Sequence, residues 1–145
     1  PQKDPSNDFL SWKPTGWAAE DVYRQAGITD PRASIGVAQV HDCFSLTELL
    51  TYEDLGFCEK GSAVEHIDSG DFELSGSLPV NTDGGLKTFG HPTGATGVRM
   101  IYENVLQLQG RAGERQVKNL GDKFALSHNI GGHPTACGIA ILGRD

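Results

Sequence analysis

Twice along this chain a short apolar run ends on polar or glycine-rich residues and passes directly into a helical pattern. Ile35 to Val40 ends at His41-Asp42-Cys43-Phe44. Leu46 to Leu55 follows, with Leu46, Leu49, Leu50 and Leu55 on one side and Gly56 as its stop. Leu78 to Asn81 runs into Asp83-Gly84-Gly85 and then Gly90-His91-Pro92-Thr93-Gly94-Ala95-Thr96-Gly97, and a helical pattern continues to about Gln109. A short apolar run bounded by turn signals reads as a buried strand, and apolar recurrence every three to four residues reads as a helix. Strands that alternate with helices imply a layered α/β sheet, since each face of the sheet needs a cover.

The rest of the chain fits that plan. Residues 1–16 are rich in Pro, Asp, Ser and Lys and read as a linker or tail, which leaves 17–145 as one domain. Trp17 to Ala26 reads as a helix stopped by Gly27. Residues 59–77 are polar and glycine-containing, a surface excursion with one short strand. Lys123 to Ser127 and Ala136 to Leu142 read as the last two strands, joined by a loop containing Gly131-Gly132. The expected fold is therefore α/β, a five-stranded mixed sheet covered by helices. Pro92 suits the first turn of the long helix, whose Val98, Ile101, Tyr102, Val105 and Leu108 form one face, expected to be mostly buried. Gly110 and Gly113 close it.

Composition narrows the function classes. Nineteen acidic residues against twelve basic give a net charge of −7, and no basic stripe is present for nucleic acid. No apolar run is long enough to cross a bilayer. Cys43, Cys58 and Cys137 are widely spaced, with neither a disulfide framework nor a CxxC zinc pattern, so a reducing, cytoplasmic setting is expected and no metal. The chain begins at Pro1 rather than Met, as a piece of a longer protein would.

Cys43 stands after a strand and before a helix, and a helix N-terminus favours thiolate over thiol. Its bland alternative is a small packed cysteine. His41, two residues earlier, projects from the same strand end. His91 follows a glycine-rich path and can polarise a carbonyl or activate a thiol; its bland alternative is helix capping. Gly132-His133-Pro134 repeats the triplet in a loop, and His133 reads as structural or rim. Gly131 and Gly132 can present backbone N–H groups to an oxyanion. Gly84-Gly85-Leu86-Lys87-Thr88 lacks the spacing of a phosphate loop, so Lys87 reads as a surface charge or a contact to an anionic ligand. Asp42, Glu48 and Glu53 read as a solvated helix face, with Asp42 also able to orient an imidazole. Cys58 and Cys137 read as structural, and His66 has no evident partner.

From about Trp17 to Leu142 the sequence resembles the C-terminal domain of a thiolase, in the branch of sterol-carrier-protein thiolases and their bacterial and archaeal relatives. The resemblance rests on His41-Asp42-Cys43-Phe44, on Asn81 to Gly97, and on His128-Asn129-Ile130-Gly131-Gly132. Ordinary thiolases carry Asn-Glu-Ala-Phe at the first of these. The resemblance implies that His91 activates a nucleophilic cysteine and helps bind the thioester oxygen. It implies that His41 completes that oxyanion hole, through its side chain or a held water, and that Cys43 is the acid/base. Asn129-Ile130-Gly131 replaces the usual Cys-x-Gly, with Asn129 and Gly131 at the second oxyanion hole and a Gly131 backbone N–H as donor. Phe89 and Gly90 are expected at the substrate.

The same resemblance implies acyl transfer on 3-oxoacyl-CoA thioesters, by thiolytic cleavage or condensation. Coenzyme A thioester is the substrate and no cofactor is bound covalently. It also implies an N-terminal half bearing the nucleophilic cysteine, in the same chain or another subunit, and a homodimer; alone, this chain is not expected to turn over. The alternatives are a thiolase-fold aldolase cleaving a 3-hydroxyacyl-CoA with an OB-fold and zinc-ribbon partner, or a non-catalytic scaffold. Three outcomes are expected: His41, Cys43 and His91 converge at one end of the sheet, the long helix is buried, and a large apolar surface is exposed where the other half packs.

Overall fold

β1 (Ile35–Gln39) is buried along its whole length, because helices and loops cover both of its faces. The computed structural model describes residues 10–131 and 136–144. In chain order the elements are α1 (Lys13–Ala26), α2 (Pro31–Ser34), β1, α3 (Ser45–Asp54), α4 (Ala63–Asp68), α5 (Gly85–Phe89), α6 (Thr96–Leu108), a 3-10 turn (Gly113–Arg115), β2 (Phe124–Ile130) and β3 (Cys137–Leu142). The sheet order is β1-β2-β3. β1 pairs parallel with β2, Ala38 opposite Leu126 and Gln39 opposite Ser127; β2 pairs antiparallel with β3, His128 opposite Ile139.

Side chains alternate across the pleat from Val37 onward, and an irregular register between Ile35 and Val37 turns Ile35 to the other face, so the sheet builds two cores. Ile35, Ala38, Val40 and Leu126 pack with Tyr23, Tyr52, Leu55, Phe57 and Leu78. Val37 and Ala125 pack on the opposite face with Leu108, Val117 and Leu120.

The expected α/β layering is present, but the described residues form three strands, not five. Leu78 to Asn81 contributes a single parallel bridge, Val80 to Ala38. The chain turns away there because Asn81 adopts φ 51° and its side-chain Oδ1, not its backbone, takes the Val40 N–H at 2.9 Å. The strand expected within 59–77 is absent among the described residues. That stretch forms α4 and a turn drawn together by Asp71, which accepts from His66 (2.6 Å), Ser77 (2.7 Å) and Arg32 (2.9 Å). His66 thus has a partner. α1 begins at Lys13, inside the stretch read as a tail, and Ser11 and Trp12 both hydrogen-bond to Asp54, the last residue of α3. Gly27 ends α1 in the left-handed region, φ 70°.

One amphipathic reading holds but for a single residue, and the other largely inverts. On α3, Leu50 is buried, Leu55 just beyond it is in the core and Leu49 packs against that core, while Leu46 is 64% exposed. On α6, Leu108 is buried, but the rest of the apolar face turns outward, with Val98 70% and Tyr102 61% exposed, and Glu103, Asn104 and Gln107 are buried. Those polar groups are tolerated inside because they are bonded. Asn104 donates to the Leu126 carbonyl at 2.8 Å. Glu103 accepts from Thr82 at 2.8 Å and Arg115 at 3.0 Å, and Gln107 donates to the Arg115 carbonyl at 2.7 Å. Burial raises the Glu103 carboxyl's proton affinity, but the bonds from Arg115, Thr82 and Gln107 outweigh it and leave a net downward shift.

Candidate active site

The two strand–loop–helix units deliver their loops to the same end of the sheet. His41 follows β1 and is buried; its ring lies edge to face with that of His91, centroids 5.0 Å apart. A cleft of about 280 Å3 is lined by Trp12, His41, Cys43, Phe44, Thr47, His91, Ile130 and Gly131. His41, Cys43 and His91, 50 residues apart at the extremes of the sequence, therefore share one space. Cys43 is half-buried, and its thiol points at the Thr47 hydroxyl, 3.8 Å away.

Asp42 ties the two loops together. It is 1% exposed, not solvated as the sequence suggested. Its carboxylate accepts from the Leu86 N–H at 2.7 Å and the Lys87 N–H at 3.4 Å, closing the first turn of α5. Gly85 makes the approach possible: an added Cβ would sit 2.4 Å from Asp42 Oδ2. Glu48 and Glu53 are not solvated either. Glu48 is tied to Tyr52, Asn81 and Lys87, and Glu53 accepts from the Ala63 N–H. Lys87 is thus paired with Glu48.

Hydrogen bonds set which ring nitrogen carries the proton in the neutral form of each imidazole. The Thr96 hydroxyl donates to the Pro92 carbonyl at 3.1 Å, so at 2.7 Å it accepts from His91 Nδ1–H. His91 Nε2 is then left bare. Thr96 starts α6; Pro92 to Ala95 form a turn before it, not its first turn. His41 Nδ1 donates to the side-chain Oδ1 of Asn129 at 2.6 Å, which leaves His41 Nε2 bare as well. Burial lowers the His41 proton affinity; the Asn129 bond opposes this, and a charge on His91 lowers it further. A pair so close accepts one proton more readily than two. Gly97 lets Asn129 approach, since a Cβ there would be 3.1 Å from its amide nitrogen.

The remaining expected residues fall differently. The Gly131 N–H donates to the Ala136 carbonyl at 2.8 Å, so it is occupied rather than open to an oxyanion. Gly132 and His133 lie outside the described residues. Phe89 and Gly90 do not line the cleft; Phe89 is exposed, its ring beneath the Arg99 guanidinium at 5.1 Å. Burial pushes the Cys58 and Cys137 thiols up. No group of three His, Cys, Asp or Glu among the described residues can hold a metal. No helix among them is long and apolar enough to cross a membrane.

Sequence reading missed His128, which is fully buried in β2. Its Nδ1 faces the His41 backbone N–H at 3.4 Å and its Nε2 faces the Thr15 hydroxyl at 3.0 Å. Burial, then the proximity of His41, pushes it down to about 3. The strand expected to stop at Ser127 runs on to Ile130, and a histidine between Leu126 and Ile130, on the face that alternates with Ser127 and Asn129, was the available signal.

Comparison with known proteins places this geometry. The chain is 42% identical over 127 residues to an acetyl-CoA acetyltransferase of Methanothermobacter thermautotrophicus, covering 88% of this chain and 32% of that protein. It is 46% identical over 114 residues to sterol carrier protein 2 of Homo sapiens, covering 79% of this chain and 20% of that protein. Among solved structures it is similar to a chain of an Ltp2-ChsH2(DUF35) aldolase, with TM-score 0.69 and 31% identity over 89% of this chain and 31% of that one. The chain thus spans about a third or less of the length of these relatives. The family described as thiolase C-terminal domain-like matches residues 4–144, and the chain belongs to that family.

Proposed function

We propose that this chain supplies the imidazole and acid/base half of a thiolase-type acyl-transfer site acting on coenzyme A thioesters. The observation that carries the reading is the shared cleft of His41, Cys43 and His91. A cysteine on a second half attacks the 3-oxo carbon of the 3-oxoacyl thioester, and the bare Nε2 of His91 takes its proton. As the adduct collapses, the C2–C3 bond breaks and its electron pair passes to C2 and the thioester oxygen, to which the imidazolium donates as negative charge develops there. The Cys43 thiol protonates that carbanion at C2, and the acyl group left on the cysteine passes to coenzyme A. His41, whose burial favours the neutral ring and whose Nδ1–H is taken up by Asn129, contributes Nε2 as an acceptor and orders a water at the same oxygen.

The second half is a domain of similar fold, in the same polypeptide or another subunit. The exposed apolar face of α6, with Trp17, Phe44 and Leu46 also exposed, supports such a partner, since polar residues would otherwise be expected there. An aldolase reading is kept because of the likeness to the aldolase chain; it needs no acid/base cysteine.

Cys43→Ser in the complete two-half enzyme separates the two. Carbon–carbon cleavage is expected to fall about 100- to 10,000-fold, because a hydroxyl exchanges protons poorly near neutral pH, while acylation by a simple thioester persists. Cys58→Ser is expected to lose far less. A Cys43→Ser enzyme that cleaves at near wild-type rate defeats the thiolase reading and favours the aldolase.

A further inference from the structure

We infer that His128 is a positioning residue for His41: it grips the His41 main chain in the buried sheet and thereby holds the His41 ring against Asn129 and His91. The inference rests on the acyl-transfer reading only in giving that position a catalytic use.

The directions of the bonds leave little freedom. A backbone N–H can only donate, so His128 Nδ1, facing the His41 N–H at 3.4 Å, must be bare. The proton of the neutral ring is then on Nε2, which donates to Thr15 Oγ1 at 3.0 Å. The Thr15 hydroxyl hydrogen in turn points to Cys137 Sγ at 3.8 Å. Every donor thus faces an acceptor, in a relay from His41 through β2 to α1 and β3. A second proton on His128 would set Nδ1–H against the His41 N–H, so geometry and burial both keep the ring neutral. The neighbouring residue, Asn129, holds the His41 side chain from the same strand. Consecutive residues of β2 therefore grip the main chain and the ring of His41, fixing both ends of one side chain. The 5.0 Å edge-to-face contact with His91 depends on that placement.

Two kinds of measurement test this. In histidine-selective 15N-labelled protein at neutral pH, His128 is expected as the Nε2–H tautomer with a bare Nδ1. Finding the proton on Nδ1 overturns the relay, whatever reaction the protein performs. The kinetic arm uses the complete two-half enzyme. His128→Leu orphans the His41 N–H and is expected to lower kcat for carbon–carbon cleavage roughly 10- to 100-fold, the scale of a displacement on the order of 1 Å, with KM for the acyl-CoA little changed. His128→Asn can present Oδ1 to the His41 N–H in place of Nδ1 and is expected to restore most of kcat. A purely structural role predicts a different outcome: both variants lower thermal stability, and the folded fraction keeps its kcat. Equal losses in the Leu and Asn variants, or a folded Leu variant with unchanged kcat, overturn the proposal. Should the Leu variant not fold, the tautomer and the Asn variant decide it. A wild-type enzyme with no acyl transfer but the expected tautomer would refute the activity and leave the relay standing.

Discussion

Gly85→Ala tests the joint between the two site-bearing loops. Gly85 sits at φ 63°, and an added Cβ would lie 2.4 Å from Asp42 Oδ2 and 2.7 Å from its Cγ. An L-residue in the left-handed region costs about 1–2 kcal/mol. The Asp42 carboxylate must also retreat, weakening its bonds to the Leu86 and Lys87 N–H groups. Losing a helix-start acceptor costs about 1 kcal/mol, and stranding a buried charged group costs about 1–3 kcal/mol more. The total is about 3–6 kcal/mol. Gly27→Ala is the internal control, because Gly27 has φ 70° with nothing within 4 Å of an added Cβ, so only the backbone cost of about 1–2 kcal/mol applies. Urea denaturation of both variants measures the difference. In an Asp42→Ala background the steric part vanishes, and Gly85→Ala should then cost no more than Gly27→Ala. Equal destabilisation by the two alanines in the native background would refute the assignment of Asp42 as the clamp.

Acid should unfold the protein through His128 before its carboxylates titrate. Its folded value is about 3 against an ordinary 6.5, so its contribution is present above pH 6.5. It is lost as pH falls towards 3, because the unfolded chain takes up the proton first, at about 1.4 kcal/mol per pH unit. A urea midpoint that is flat from pH 7 to 5 would contradict this; His41, shifted the same way, adds to the slope. Val98→Lys with Tyr102→Lys should leave the stability of this chain within about 0.5 kcal/mol, lower its binding of apolar dyes, and abolish assembly with a second half in a mixing experiment. Glu103→Ala should cost about 3–5 kcal/mol by chemical denaturation, since it removes the acceptor shared by Thr82, Gln107 and Arg115; a loss below 1 kcal/mol would mean that water replaces it.

Sequence alone was enough for the α/β alternation, the helix stop at Gly27, the placement of β1 and the pairing of His41-Asp42-Cys43 with His91. Those features rest on local chemistry: apolar period, glycine where φ is positive, and loops at strand ends. Tertiary structure decided what depends on contacts between distant residues. The period of α6 announces two faces, but only the bonds from Glu103, Asn104 and Gln107 to Thr82, Arg115 and Leu126 reveal that the polar face is inside. Leu78 to Asn81 has the composition of a strand, yet Asn81 spends its side chain on Val40 and leaves one bridge. Asp42 reads as a surface charge until its neighbours from residues 85–87 are in place. His128 takes its meaning from Thr15 and His41, 113 and 87 residues away. A hydrogen bond has no signature in sequence until both partners are known, so buried polar groups are where sequence reading stops and the fold must be seen.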